Sequence, residues 1–296
     1  MKFYIVGRYP PPIGGVSVYT NRRFNEMLSA GGDVGKIDLG RRTSLFKLLR
    51  KGSATYEVNS LNIIVILAFF ITGKIGKAVF VDHNSSRSIK GVKKRATLWL
   101  IRHARKILIV NEQLRDFYNE SITVELISPF IPPDQSEEQD VVGSYPVGLV
   151  DFLQQGKVLV NSSWKYVPYG RSDLYGVEDS VRLLNNSNYR LVLFIGDYDV
   201  SRVPQRVVSE IERFVQEGRL FLVTGQKQMW PVLKMGTCLF LRLTPTDGDS
   251  VSVREALYFG CPVIASNAAA RPEGCMLYDY NCPVSLIEAI SEHYSD

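Results

Sequence analysis

The chain has 296 residues, 45% hydrophobic, 22% charged and 11% aromatic, a balance that suits a folded globular protein and excludes a disordered or collagen-like one. At about 100–200 residues per domain, this length accommodates two domains, each with its own core. The net charge of +5 conceals an asymmetry: residues 1–133 hold 21 Lys and Arg against 9 Asp and Glu, and residues 134–296 hold 14 against 21, a split of +12 against −7.

Halves so different suggest different partners, and the basic half suits nucleic acid, an anionic membrane surface or a phosphate-bearing ligand. Along the chain, short Val/Ile/Leu runs alternate with longer helical patterns. Strands are predicted at 3–6, 79–81, 107–110, 124–127, 158–161, 191–195, 220–223, 239–243 and 263–265. Helices are predicted over 16–28, 60–71, 92–103, 111–118, 175–184, 206–216, 251–259 and 284–293. Continuous apolar strands that alternate with helices predict parallel sheets covered on both faces. Between 128 and 156 the period disappears into a proline-rich and then acidic stretch. The expected organisation is therefore a domain over 1–133, a linker over 134–156 and a domain over 157–296. The fold class expected is α/β, two Rossmann-like doubly wound domains facing a cleft at the carboxyl ends of their strands. A strand run beginning at residue 2 leads to the expectation of no signal peptide. Four cysteines, Cys238, Cys261, Cys275 and Cys282, lie 23, 14 and 7 apart. That is no paired metal spacing, and a reduced, cytoplasmic setting is expected.

Two segments carry chemistry. Pro10-Pro-Pro-Ile-Gly14-Gly15-Val16-Ser17 follows the first strand and opens a helix, where glycines allow close backbone approach and the helix start offers N–H groups to an anion. It is neither the dinucleotide fingerprint nor a P-loop, and a simple glycine turn explains it equally well. The second runs from Arg242 through Asp247, Gly248, Asp249, Ser250, Val251 and Glu255 to Ser266. Asp249 or Ser250 can cap the helix there, and Ser252-x-x-Glu255 has capping-box spacing. The same helix start could hold a diphosphate, with Asp247 and Glu255 accepting from sugar hydroxyls. Glu255 reads equally as part of a cap.

The run from Asp247 to Gly260 resembles the Glu-x7-Glu segment of family 4 retaining glycosyltransferases, which have the GT-B fold. Ile13-Gly14-Gly15-Val16 resembles that family's N-terminal glycine loop, and Phe80-Val-Asp-His83-Asn84 its strand-end histidine. Ile127-Ser-Pro-Phe-Ile-Pro and Gly260-Cys-Pro-Val-Ile-Ala-Ser266, with Arg271-Pro-Glu-Gly274, extend the likeness across most of the chain. The resemblance implies that Asp247, Glu255 and His83 form the catalytic set, Glu255 on the donor ribose and Asp247, shorter than the usual Glu, beside the sugar. It implies donor contacts from Gly14, Gly15, Gln226, Gly248, Asp249, Ser250 and Val251. The family's Lys-Gly is Tyr175-Gly176 here and its strand-end Arg is missing, so Lys165 and Arg171 are the cations left for the diphosphate; either reads equally as a surface charge. No cofactor or metal is implied. Asp247-Gly248-Asp249 has an Asp-x-Asp pattern, but its turn-to-helix setting fits the donor loop better.

The activity so implied is retaining transfer of a hexose-type sugar from a nucleotide sugar to a saccharide or polyprenyl-diphosphate-linked saccharide, in surface polysaccharide biosynthesis. The alternative is a non-catalytic subunit of the same fold serving an active partner. Residues 44–51 and the Lys- and Arg-rich run 90–106 are basic and amphipathic, so an anionic membrane is an expected partner and a peripheral place on its cytoplasmic face follows. A helix with a solvated basic back explains them as well. The nine apolar residues at 63–71 are too few to span a bilayer and are expected to be buried, or at most to dip into it. No nucleic-acid module accompanies the cations, so no nucleic-acid partner is expected.

Overall fold

The computed structural model describes residues 2–41, 43–49, 53–118, 120–170, 172–185, 187–247 and 249–295. The chain divides into two units, Met1–Ile131 and Pro132–Asp296. The first contains β1 (Lys2–Gly7), α1 (Gly15–Ser29), β2 (Val34–Asp38), β3 (Ala54–Val58), α2 (Ile63–Ile71), β4 (Ala78–Asp82), α3 (Gly91–Ile101), β5 (Lys106–Ile109) and β6 (Val124–Leu126). Among the described residues these strands form one parallel sheet in the order β2-β1-β3-β4-β5-β6. Val58, Phe80, Ile107 and Ile109 from its strands and Ile66, Phe69 and Ile101 from α2 and α3 lie in its core. Asn62 starts α2, its Oδ1 accepting from Ile64 N–H at 2.9 Å. The expected helix over 111–118 is a 3-10 helix at Glu112–Phe117.

The second unit contains α4 (Glu138–Gly143), α5 (Leu149–Leu153), β7 (Val158–Lys165), β8 (Pro168–Tyr169), β9 (Ser172–Asp173), α6 (Val177–Arg182), β10 (Arg190–Asp197) and α7 (Gln205–Gln216). It continues with β11 (Leu220–Thr224), α8 (Trp230–Lys234), β12 (Cys238–Arg242), α9 (Val251–Tyr258), β13 (Val263–Ser266), β14 (Met276–Tyr278) and α10 (Pro283–His293). Its main sheet is parallel, in the order β11-β10-β7-β12-β13-β14. The strand order reverses between β7 and β12, the point where doubly wound sheets take ligands at their carboxyl ends.

The stretch 134–156, expected as a linker, instead carries α4 and α5. Val141, Tyr145, Leu149, Phe152 and Leu153 pack in the second unit's core with Val160, Phe194 and Phe240. Polar spacing hid these apolar anchors, because each helix is under two turns long. The strands at 34–38, 54–58 and 276–278 also went unread. The first and third are edge strands, and the second buries Glu57 in the middle of its run. The helix at 63–71 is not wholly buried: Val65, Ile66 and Phe69 face the core, while Ile64, Leu67 and Ile71 are exposed. No helix among the described residues is long and apolar enough to cross a membrane.

Candidate donor-binding site

In the second unit, β12 delivers its chain to a loop that ends at the start of α9. Asp247 sits in that loop with its carboxylate held by two arginines. Arg242 donates from Nε to Oδ2 at 2.7 Å and from Nη2 to Oδ1 at 3.0 Å, and Arg271 donates from Nη1 to Oδ2 at 2.7 Å. The Arg271 side chain is 2% exposed, and it also donates to Thr244 O at 3.1 Å, Ser266 O at 3.0 Å and Ser266 Oγ at 2.9 Å. Burial pushes the Asp247 pKa up, but the two guanidinium groups outweigh it and hold the carboxyl below its usual value. The physical result is a loop stapled to the end of β13. Both oxygens expected to meet sugar hydroxyls are thus engaged by guanidinium groups. Arg242 and Arg271 were legible only as members of quoted runs; nothing in their spacing marked them as partners of one carboxylate.

Asp249 makes a second bidentate pair, with Arg254 Nε at 2.8 Å and Nη2 at 2.6 Å. Ser250 is the N-cap of α9 in an extended conformation, without a side-chain cap. The capping box expected from Ser252 and Glu255 does not form. The helix starts at Val251, so Ser252 already lies inside the first turn, where its Oγ meets Ser250 Oγ at 3.0 Å. Ser250 therefore gives the first turn of α9 no side-chain cap. Glu255 lies one turn further in and is 7% exposed. Burial, then the nearby Glu255 and Glu138 carboxylates, push the Tyr145 phenol above its usual range. Tyr145 in turn donates to Gln228 O at 2.7 Å, which ties this residue of the expected linker to the loop after β11. Sequence reading missed Tyr145 because its segment showed no period.

Gln226 lies in that loop, donating from Nε2 to Gly196 O at 3.4 Å, beside the exit of β10. Lys165 ends β7, the strand bordering the switch point, paired in register with Asp197. Arg171 and Gly248, two expected donor contacts, lie outside the described residues. The start of α6, where Tyr175-Gly176 stands in place of the family's Lys-Gly, is already capped by an anion. Asp173 accepts from the N–H groups of Tyr175 at 2.9 Å, Val177 at 3.1 Å and Glu178 at 2.9 Å. Gly176 precedes that helix with φ of +69°, and a side chain there would collide with Leu243, so α6 is locked against the exit of β12.

In the first unit, Gly14 and Gly15 open α1 at an exposed turn. Ser17 Oγ accepts from Gly14 N–H at 3.0 Å and donates to Pro12 O at 2.6 Å, which fixes the turn. His83 follows β4, oriented by the left-handed Asn84 and by Asp82, which accepts from Ser86 N–H at 3.3 Å and Tyr118 OH at 3.0 Å. Its Nε2 lies 3.0 Å from Asn59 Oδ1 and its ring meets Tyr19 edge-on at 4.7 Å. Burial pulls the His83 pKa down to about 4, so the ring is neutral at pH 7. Glu57 and Asn59, neither singled out in the sequence, lie beneath α1; Arg23 Nε donates to Glu57 Oε2 at 3.0 Å. Among the described residues, buried Glu57 Oε1 and Asn59 Nδ2 make no hydrogen bond. The structure thus gathers Asp247, Asp249, Ser250, Val251 and Glu255 around the start of α9, and sets His83 near the α1 face of the other unit.

No family model matches the chain, and no curated protein does. Solved structures do. Anabaena HepE in complex with UDP-glucose aligns with a TM-score of 0.68 at 12% identity, over 99% of this chain and 90% of that one. A UDP-forming alpha,alpha-trehalose-phosphate synthase from Burkholderia xenovorans, in complex with glucose-6-phosphate, gives 0.67 at 12% identity over 99% and 92%. A glycosyltransferase from Rickettsia africae gives 0.66 at 12% identity over 99% and 88%. With two parallel Rossmann-like sheets and these neighbours, the fold is the one GT-B glycosyltransferases share.

Proposed function

We propose that this protein is a nucleotide-sugar-dependent glycosyltransferase that moves a hexose-type sugar, with retention, to a hydroxyl of a saccharide or lipid-linked saccharide in surface polysaccharide assembly. The observation that carries the reading is the buried Glu255 behind the first turn of α9, which the Ser250 side chain leaves without a cap. A ribose can give its two hydroxyls to that carboxylate while a diphosphate lies on the N–H groups of Asp249, Ser250 and Val251. Lys165 supplies the cation, and the loop at Gln226, which Tyr145 holds at Gln228 O, receives the base. UDP and UDP-glucose in complex with HepE support a donor of this class. Asp247 enters as the residue that fixes the loop; the resemblance alone assigns neutral His83, Gly14 and Gly15 of the first unit to the donor.

Catalysis then rests on positioning and on stabilising the departing diphosphate. No metal is part of the proposal: both carboxylates of the Asp-x-Asp pattern are engaged by guanidinium groups. A place at the cytoplasmic face of a membrane fits a lipid-linked acceptor. The experiment is release of nucleoside diphosphate from a panel of nucleotide sugars. Glu255→Ala should abolish release with the fold intact; undiminished turnover in that variant would sink the assignment. A non-catalytic subunit is the second reading, favoured by Tyr175 in place of the family's Lys and by the Asp247 carboxylate being engaged by Arg242 and Arg271, and an absence of release across the panel would select it.

A further inference from the structure

We infer that the outer face of α2 and α3 seats the first unit on an anionic lipid bilayer. Every residue of α2 is apolar, and the helix divides its nine residues between two environments. Val65, Ile66 and Phe69 enter the core, while Ile64, Leu67 and Ile71, one stripe at i, i+3 and i+7, are 66%, 43% and 74% exposed. The neighbouring α3 continues the face. Its outer stripe reads Val92, Arg95, Trp99 and Arg102, alternating apolar and cationic positions, with Trp99 50% exposed. Phe70 of α2 meets the Trp99 ring at 5.3 Å, and the Arg102 guanidinium lies over that ring at 5.4 Å. On the other flank of α2, the 3-10 helix Ser44–Leu49 leaves Phe46 and Leu49 exposed on either side of Lys47.

Contiguous apolar surface of this kind marks an interaction site, and charge decides what covers it. Between residues 39 and 111 there are 15 Lys and Arg against two acids, Glu57 and Asp82, and both acids are buried. The stretch therefore presents cations without exposed carboxylates. A second copy of this face would bring the same charge against itself, so self-association is opposed. An anionic lipid surface supplies the complement over the whole area, at about 1 kcal/mol per basic residue near it. A nine-residue helix rises only about 14 Å, too short to span, so it lies in the interface plane with its stripe among the acyl chains. Trp99 belongs at headgroup depth, where indole rings settle.

The docking stands on this face alone, and its test reads no sugar transfer. The full chain is mixed with phosphatidylcholine vesicles with and without phosphatidylglycerol, at low and high salt, and the bound fraction is measured by co-sedimentation. Binding is expected to the anionic vesicles at low salt and to fall steeply at high salt. Ile64→Ser/Leu67→Ser/Ile71→Ser should weaken partitioning roughly a hundredfold, since each side chain forfeits about half of a full burial. Arg95→Gln/Arg102→Gln should weaken it roughly twentyfold at low salt. Lipids brominated near the headgroup should quench the wild-type fluorescence and leave Trp99→Phe unquenched. These positions are on the surface, so matching far-UV spectra and unfolding midpoints certify the folds. Equal binding by the triple serine variant would overturn the inference, as would no binding to anionic vesicles. A dimer that the serine substitutions dissociate in sedimentation velocity would also overturn it, by assigning the face to a second copy.

Discussion

Replacing Asp247 by Asn separates the two roles open to that residue. In the structure its carboxylate takes three guanidinium hydrogen bonds of 2.7, 3.0 and 2.7 Å, and the Arg242 and Arg271 side chains are themselves 13% and 2% exposed. Asn keeps one acceptor oxygen and loses the charge, so two buried cations are left without their counter-ion. Removing one member of a buried pair costs about 3–5 kcal/mol, and the oxygen retained places the expectation near 3 kcal/mol. At roughly 2–4 °C per kcal/mol for a unit of this size, the second unit's Tm should fall by about 6–12 °C. Calorimetry and urea unfolding measure it. Arg271→Met on the Asp247→Asn background should recover part of the loss, with a coupling of about 1–3 kcal/mol, because the stranded guanidinium is then gone. A Tm within about 1 °C of wild type together with lost donor turnover would refute the argument. Asp247 would then act on the sugar and not on the loop.

Two further outcomes are expected from the same reasoning. His83 is pulled down to about 4 by burial, whereas the unfolded ring takes its proton near pH 6.5. Its contribution to stability is therefore complete above about pH 6.5 and is lost as pH falls toward 4, by about 3 kcal/mol in all. His83→Gln should flatten that part of the stability profile of the first unit, and an unchanged slope in urea titrations would count against it. Phe152→Ala, in the stretch expected as a linker, should destabilise the second unit by about 3–5 kcal/mol, as a core aromatic does; a linker residue would shift the unfolding midpoint hardly at all.

Much of the fold was legible because parallel strands buried on both faces are written as unbroken Val/Ile/Leu runs, as at Val158–Val160 and Leu191–Ile195. What escaped was written differently. Ala54–Val58 hides a strand behind Glu57, an acid that Arg23 compensates from α1, and no local pattern announces a partner 34 residues away. The helices at 138–143 and 149–153 are too short for a 3.6-residue period to repeat. In the candidate site the sequence placed the α9 turn; of Asp249 and Ser250, the caps it offered, Ser250 takes the N-cap position but its side chain makes no cap, and Asp249 is bound by Arg254. The sequence could not say that Asp247 would be enclosed by Arg242 and Arg271, since Arg271 reaches it from beyond β13. Nor could it show that Ser252, one residue past Val251, falls inside the helix and cannot complete a box with Glu255. Sequence spacing fixes which residues share a turn; side-chain engagement depends on what the next strand delivers.

The charge split acquires a local meaning at this level. The second unit is acidic overall, yet around α9 three carboxylates, Asp247, Asp249 and Glu255, stand with three arginines, Arg242, Arg254 and Arg271. Four of these six groups pair as Asp247 with Arg242 and Asp249 with Arg254, and Arg271 closes on Asp247. On the proposed reading an anionic donor would meet a neighbourhood near neutrality, with fixed N–H groups and Lys165 to hold it. Short-range contacts of that kind are poorly screened by salt, whereas attraction to a charged surface decays within a Debye length of about 8–10 Å. Donor affinity should accordingly change by less than about threefold between low and physiological salt, while vesicle binding by the basic unit falls by an order of magnitude or more. Nucleotide-sugar calorimetry and vesicle co-sedimentation on one preparation compare the two. If donor affinity fell as steeply as vesicle binding, diffuse charge would be holding the diphosphate, and the turn at Ser250–Val251 would not be its seat.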